Sequence, residues 1–174
     1  MRYILPVIVA FLFIIEGTWF QVFFPASFDQ DLYWMPRFAF VAIVFISIYR
    51  GAVHGLFFGI ITGFFHDVVY SYIIGIYMFS YGLLGYMAGF NFSAVKSRPI
   101  VVLLIMLVGL AGLETLIYFM YTWTGVAFVG FEEFATTRLM PSLLLNGAFG
   151  IVILFPMRKI FQWIEERERM QENV

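Results

Sequence analysis

The sequence predicts an all-α integral membrane protein built as a bundle of six transmembrane helices, and three observations support this fold class. Hydrophobic residues make up 63% of the 174-residue chain, whereas a soluble domain has about 45–50%. Charged residues make up only 12% of the chain. Six apolar runs also come close to the roughly 20 residues that a helix needs to cross a bilayer. We therefore expect one membrane domain over residues 1–157, followed by a short tail over residues 158–174.

The six predicted helices follow one another with short connections. We expect them at residues 3–24, 32–49, 51–70, 72–92, 99–122 and 137–157. The first run contains Glu16 and is longer than the apolar region of a signal peptide, so we expect it to stay in the mature protein. The second helix is short if it begins only at Pro36, because proline is well tolerated only in the first turn of a helix.

The tail from Arg158 onwards carries charges of both signs beside Ile160, Phe161 and Trp163. Apolar and aromatic groups next to basic residues suit the interface between membrane and water. We expect the tail to continue the sixth helix into the cytoplasm as an amphipathic, charged segment. It is interpreted either as a solvated helical end or as a docking helix for a cytoplasmic partner.

Lysine and arginine are distributed unevenly over the predicted loops. With six spans, both ends of the chain lie on the same side of the membrane. That side would hold Arg2, Arg50, Lys96, Arg98, Arg158, Lys159, Arg167 and Arg169, and the other side only Arg37 and Arg138. Because basic residues favour the cytoplasmic side, we expect a multi-pass protein of the cytoplasmic membrane with both termini in the cytoplasm.

Glycine recurs at every fourth position of the third predicted helix, and the series ends in Asp67. Positions four apart stay on one side of an α-helix, and small residues there let two helix backbones approach closely. We interpret this face as a packing surface for a neighbouring helix or a partner's helix, with a groove for lipid or substrate as the alternative. The fourth helix has a comparable face. The glycines of both faces are Gly51, Gly55, Gly59, Gly63, Gly75, Gly82, Gly85 and Gly89.

Eight polar or charged side chains are expected together in the outer half of the predicted bundle. They are Glu16, Arg37, His66, Asp67, Glu114, Arg138, Ser142 and Asn146. An ionised side chain at the centre of a membrane costs roughly 2.5–3.5 kcal/mol, so such groups face the protein interior and pair with one another. We expect one intramembrane polar network that fixes the helix arrangement. A ligand pocket or a contact with a partner protein is the alternative interpretation.

The sequence does not predict an enzyme. The absence of cysteine removes thiol catalysis and thiolate metal sites. The two histidines, His54 and His66, have no further metal ligands at a suitable spacing, and the usual nucleotide-binding and hydrolase motifs are missing. A net charge of −1 argues against nucleic acid as a partner. We therefore expect no catalytic residues, no metal and no cofactor.

Five short stretches occur in an order and spacing that resemble a known family. They are M-P-R-F at 35–38, G-x-x-x-G-F-F-H-D at 59–67, G-I-Y-M-F at 75–79, Glu114, and R-L-M-P-S-L-L-L-N at 138–146. Together they resemble the bacterial rod shape-determining protein MreD family, in its Gram-positive form. The resemblance extends over about residues 3–165, and the chain length and the short charged tail are similar too.

The resemblance implies a non-enzymatic scaffold of the elongation machinery, the elongasome, in the bacterial cytoplasmic membrane. Such a scaffold would maintain rod cell shape by binding MreC, a single-span protein. It would also couple the enzymes of peptidoglycan synthesis in the cell wall, a RodA-like synthase and a penicillin-binding protein, to MreB. Membrane lipid would surround the bundle.

The resemblance also implies a fold similar to the S components of energy-coupling-factor transporters. The alternative function is therefore a substrate-binding, S-component-like subunit of a vitamin or small-molecule transporter. Such a subunit needs a ligand-sized cavity on its outer side and a separate energising partner, because this chain has no ATP-binding motif.

Overall fold

Six helices make up the part of the chain that the computed structural model describes, which is residues 3–19, 32–90, 96, 98–126 and 128–172. Within these residues the fold is all-α. Helices α2 to α5 are Phe38–Arg50, Ala52–Tyr70, Ile76–Ala88 and Pro99–Trp123. Helix α1 consists of Ile4–Ile14 and a π-helical turn, Ile15–Trp19. Helix α6 consists of Phe131–Phe134, a second π-helical turn, Ala135–Leu139, and Met140–Glu172.

The helix ends differ from the expected ones in several places. Residues 32–37 precede α2 without regular secondary structure, and α4 begins at Ile76 rather than at residue 72. Helix α6 starts at Phe131 and runs on through the tail without interruption. The expected residues 20–24 of the first helix, 91–92 of the fourth helix and 173–174 of the tail lie outside the described residues.

Helix α2 lies at the centre of the bundle. Every residue from Phe38 to Tyr49 is buried, and α2 contacts each of the other five helices. Its composition is apolar all round, as expected for a helix without a solvent-facing side. With 13 residues it is about 20 Å long at 1.5 Å per residue. This length is shorter than the roughly 30 Å hydrocarbon core of a bilayer.

In the part of the chain that the structure describes, three helices are long and apolar enough to cross a membrane: Ala52–Tyr70, Pro99–Trp123 and Phe131–Glu168. Two shorter apolar helices, Ile4–Thr18 and Phe38–Arg50, accompany them. These lengths are those of a membrane protein. The expected six crossings and the cytoplasmic position of both termini stay predictions.

The tail packs against the rest of the chain. Phe161 and Ile164 are buried, and the Phe161 ring stacks on Tyr49 with 4.7 Å between the centroids. The guanidinium of Arg50, at the end of α2, donates two hydrogen bonds to Glu168, at 2.6 and 2.8 Å. The inner side of the tail is therefore part of the bundle rather than a solvated helical end.

Candidate functional site: the buried polar network

The side chains of Arg37 and Arg138 both contact Glu114 of α5, so charged groups from three segments form one cluster. The Nε atom of Arg37 donates to Glu114 Oε1 at 2.7 Å, and the Nε atom of Arg138 donates to Glu114 Oε2 at 3.0 Å. Arg37 and Glu114 are buried, whereas the Arg138 side chain is 28% exposed. One carboxylate thus joins the start of α2, α5 and the first part of α6.

Two polar residues of α6 hold the irregular segment in front of α2. The Oδ1 atom of Asn146 accepts the Arg37 backbone N–H at 2.7 Å, and its Nδ2 donates to the Met35 carbonyl at 2.8 Å. The Ser142 hydroxyl accepts the Met35 backbone N–H at 3.3 Å. Non-helical backbone at membrane depth is tolerated only where protein groups satisfy its polar atoms. Asn146 and Ser142 supply those groups here, because residues four apart share one side of α6.

Glu16 connects α1 to α2 and α3. Its Oε2 accepts the backbone N–H of Ala39, in the first turn of α2, at 3.1 Å, and its Oε1 lies 3.1 Å from His66 Nε2. A negative group is stabilising at this position, because the first N–H groups of a helix are unpaired and the helix dipole is positive there. Glu16 and His66 are both buried.

Asp67 caps the start of α4. Its two carboxylate oxygens accept three backbone N–H groups, from Gly75, Tyr77 and Met78, at 2.8 to 2.9 Å. These contacts satisfy three of the N–H groups that a helix N-terminus leaves without intrahelical partners. The structure therefore gives Asp67 backbone partners, where the sequence predicted pairing with other polar or charged side chains.

The eight predicted residues thus form three clusters, and Tyr77 of α4 lies between them. Its hydroxyl accepts from Arg37 Nη2 at 3.4 Å, its backbone N–H is bound by Asp67, and its ring packs on His66 with 5.5 Å between the centroids. The spacing of polar side chains in the sequence did not indicate Tyr77. Its place in the G-I-Y-M-F stretch, directly after the Gly75 turn, was the available signal.

Six of the eight predicted glycines lie where α3 approaches its neighbours in the same chain. A Cβ at Gly63 would come within 2.5 Å of the Tyr77 carbonyl oxygen, and one at Gly85 within 2.5 Å of the Gly55 carbonyl oxygen. Gly59 faces the α4 backbone in the same way, Gly82 meets a side chain of α3, and Gly89 meets the start of α3. Gly55, Gly59, Gly63, Gly82, Gly85 and Gly89 therefore belong to packing inside the chain.

The other two glycines have backbone roles. Gly51 has a φ of 103° between α2 and α3, and Gly75 has a φ of 114° before α4. A Cβ at either position would meet nothing within 4 Å. Positive φ values of this size favour glycine, so these two residues allow the turns rather than a close helix contact.

Most contacts of the network connect one segment of the chain to another. Among the described residues, no group of three or more His, Cys, Asp or Glu side chains is arranged to hold a metal ion. The chemistry that the network offers is hydrogen bonding and charge pairing.

Comparisons with known proteins agree on one family. The model of the family described as rod shape-determining protein MreD matches residues 1–164 of the chain. The protein "Rod shape-determining protein MreD" of Bacillus subtilis (strain 168) is 28% identical over 169 residues, which is 97% of this chain and 98% of that protein. No solved structure matches, so the expected similarity to S components of transporters stays a prediction.

Proposed function

Because the chain belongs to the MreD family of rod shape-determining proteins, we propose that it maintains rod cell shape as a non-enzymatic membrane scaffold. In this role it binds an MreC-like single-span protein and couples peptidoglycan synthases to MreB. The observation that carries the proposal is the family match over residues 1–164.

The polar network supports a scaffold rather than a catalyst. The described hydrogen bonds of Arg37, Glu114 and Asn146 connect them to other parts of the same chain. Such ties hold α2, α5 and α6 in one arrangement, and a fixed arrangement presents a constant outer surface to partner helices.

The position of the glycines limits where a partner helix can dock. Gly59 and Gly63 face the backbone of α4, so that side of α3 is filled from within the chain. A partner's transmembrane helix therefore has to use the lipid-facing sides of the bundle. Exposed apolar residues on these sides include Phe11 of α1, Phe57 of α3, Val108 of α5 and Ile151 of α6.

The proposed role in cell shape is tested by depleting the protein in its native host. We expect rod-shaped cells to become round and the wild-type gene to restore the rod. Depleted cells that stay rod-shaped but need an added vitamin or other small molecule would contradict the proposal and favour the transporter subunit.

The proposed partners are tested by purifying the tagged protein from native membranes in a mild detergent and identifying bound proteins by mass spectrometry. We expect a single-span coiled-coil protein together with wall-synthesis enzymes. Recovery of an ATPase pair and a coupling subunit would overturn the scaffold and support the transporter alternative.

The docking side can be mapped because the chain contains no cysteine. Single cysteines at Phe11, Phe57, Val108 and Ile151 place one reactive thiol on each of four helices. We expect one of these positions to cross-link to a cysteine in the partner's span. The same variants in cells that lack the partner are the control, and an intact complex that cross-links at none of them would contradict docking on these helices.

A further inference from the structure

His66 and Tyr81 bury polar atoms that have no hydrogen-bond partner among the described residues. The atoms are both ring nitrogens of His66 and the hydroxyl of Tyr81. The two residues are 1% and 0% exposed. A buried polar atom without a partner is destabilising, and such atoms are rare enough in proteins that each one requires an explanation.

Glu16 reaches the same place from α1. Its Oε1 lies 3.1 Å from His66 Nε2, close enough for a charge interaction but without the alignment of a hydrogen bond. Glu16 belongs to the π-helical turn Ile15–Trp19, and such turns often occur at functional sites. The carboxylate and the imidazole therefore form a buried pair between two helices.

Among the groups around this pair, His66 is the one that can place a positive charge in direct contact with Glu16. Titratable or charged groups face the pair from each packed helix: Glu16 from α1, Arg37 from α2, Asp67 and Tyr70 from α3, and Tyr77 and Tyr81 from α4. Arg37 acts on Glu16 only through its charge, because its side-chain hydrogen bonds go to Glu114 and Tyr77. The carboxylate of Asp67 is occupied by backbone N–H groups. Among the described residues, His66 is the group in direct contact with Glu16 that can take up a charge.

From this geometry we propose that Glu16 and His66 form a buried proton-binding site, which holds one proton between a carboxylate on α1 and an imidazole on α3. The proton leaves an O–H bond of hydronium, forms an N–H bond on the imidazole, and returns to a water oxygen on release. No heavy-atom bond changes. A buried carboxylate is unfavourable unless a cation lies in direct contact with it, so the bound proton stabilises the contact.

Occupancy of the site controls how firmly α1 is held. With the proton bound, His66 is an imidazolium and its contact with Glu16 is a charged pair. Without the proton, a neutral imidazole faces the carboxylate and the attraction is weaker. Glu16 also caps α2 through Ala39, so the proton acts on the packing of three helices.

Nitrogen NMR of the imidazole tests the site in the intact protein in bilayers. The chain has two histidines, and His54 is exposed, so H54Q leaves one 15N-labelled imidazole to observe. Over about pH 5 to 8, the range in which histidine changes charge, we expect His66 to show two protonated ring nitrogens in at least part of the range. In H54Q/E16Q the same signal should change to a neutral imidazole at the same pH.

The control is H54Q/E133Q, which removes an exposed carboxylate instead and should leave the His66 signal unchanged. A neutral imidazole at every pH in H54Q overturns the site, and so does an imidazolium that is unchanged by E16Q. If E16Q does not fold, the H54Q titration still decides, because a site that never binds a proton shows no imidazolium. The outcome is independent of cell shape and of any partner.

Discussion

Glu114 and Asp67 are two buried carboxylates that the fold uses in different ways. Glu114 gives one oxygen to each of two arginines, which neutralises it with side-chain charges. Asp67 gives its oxygens to three backbone N–H groups at a helix start. Both solutions avoid an unpaired charge in a low-dielectric interior, which is the condition for keeping an acid there. The difference lies in the neighbours, because the side chains are chemically alike.

Replacing Glu114 by Gln should destabilise the bundle strongly. The amide leaves the buried Arg37 guanidinium without a carboxylate, and breaking one side of a buried pair costs about 3–5 kcal/mol. We expect a lower thermal unfolding midpoint in detergent, followed by tryptophan fluorescence. Glu133→Gln, at an exposed position, is the matched control and should behave like the wild type.

A double replacement separates charge from packing. R37M/E114M removes the two buried charges and leaves side chains of similar length. Arg138 loses its carboxylate too, but its side chain is 28% exposed and stays hydrated, so most of the loss seen in E114Q should be recovered. An E114Q protein that unfolds at the wild-type temperature would contradict the role of Glu114 as a buried counter-charge.

At the scale of the helices, α3 and α4 pack as an antiparallel pair along their glycines. The close approach requires the absence of a Cβ at the contact, since Gly63 lies against the backbone around Tyr77 and Met78. Backbone atoms cannot move aside as the end of a flexible side chain can. The contact therefore depends on glycine itself rather than on small residues in general.

Gly63→Ala should destabilise the pair, because the added Cβ would come within 2.5 Å of the Tyr77 carbonyl oxygen. Overpacking of this kind costs roughly 1–3 kcal/mol. Gly112→Ala is the matched control, because its Cβ would meet only a Leu84 side-chain carbon at 3.5 Å. That change should be neutral or stabilise α5 by up to about 1 kcal/mol. Equal thermal unfolding midpoints for the two variants would contradict the proposed helix contact.

The contact between Arg50 and the end of the tail should weaken in acid, while the buried Phe161 and Ile164 continue to hold the tail on the bundle. The hydrogen bonds from Arg50 lower the pKa of the Glu168 carboxyl below its usual value. The pair therefore contributes its full stability above the unfolded-state pKa of about 4.3. This contribution is lost as the pH falls through the lower pKa of the folded state. Hydrogen exchange of the amides at 158–170, corrected for the intrinsic pH dependence of exchange, should rise selectively below about pH 4. E168Q should raise it already at neutral pH, and E166Q, at an exposed position, should not.

The sequence predicted the helices and their faces better than it predicted which residues contact one another. Four-residue spacing was enough to place Gly55, Gly59 and Gly63 on one side of a helix, because that spacing is a property of the helix alone. It was not enough to show that the opposing backbone is α4, or that Gly51 continues the spacing but serves a turn at φ 103°. Tyr77 was missed because its hydroxyl and its backbone act together, which composition does not reveal.

At the scale of the whole molecule, the two ends of the bundle differ in charge. Arg50 and Lys96 lie together with the tail, where Glu168 and Glu165 pair with them at 2.6 and 3.8 Å. The turn after α3 lies at the opposite end, where Ser71 contacts Tyr121 of α5. Helix α6 spans both ends, since the 38 residues of its part Phe131–Glu168 extend about 57 Å, well beyond a bilayer core.

This asymmetry predicts the orientation of the chain in the membrane. Basic residues stay on the cytoplasmic side, so the end with Arg50 and the tail should face the cytoplasm and the turn after α3 should face outwards.

Single cysteines at Tyr72, Trp123 and Met170, which are 94%, 93% and 60% exposed, report on the two ends. An impermeant maleimide added to whole cells should label the first two, and the third only after permeabilisation. The chain has no cysteine of its own, so the unmodified protein gives the background. Labelling of Met170→Cys from outside would reverse the orientation, and labelling of Tyr72→Cys and Met170→Cys from the same side would contradict the placement of these two regions at opposite ends of the bundle.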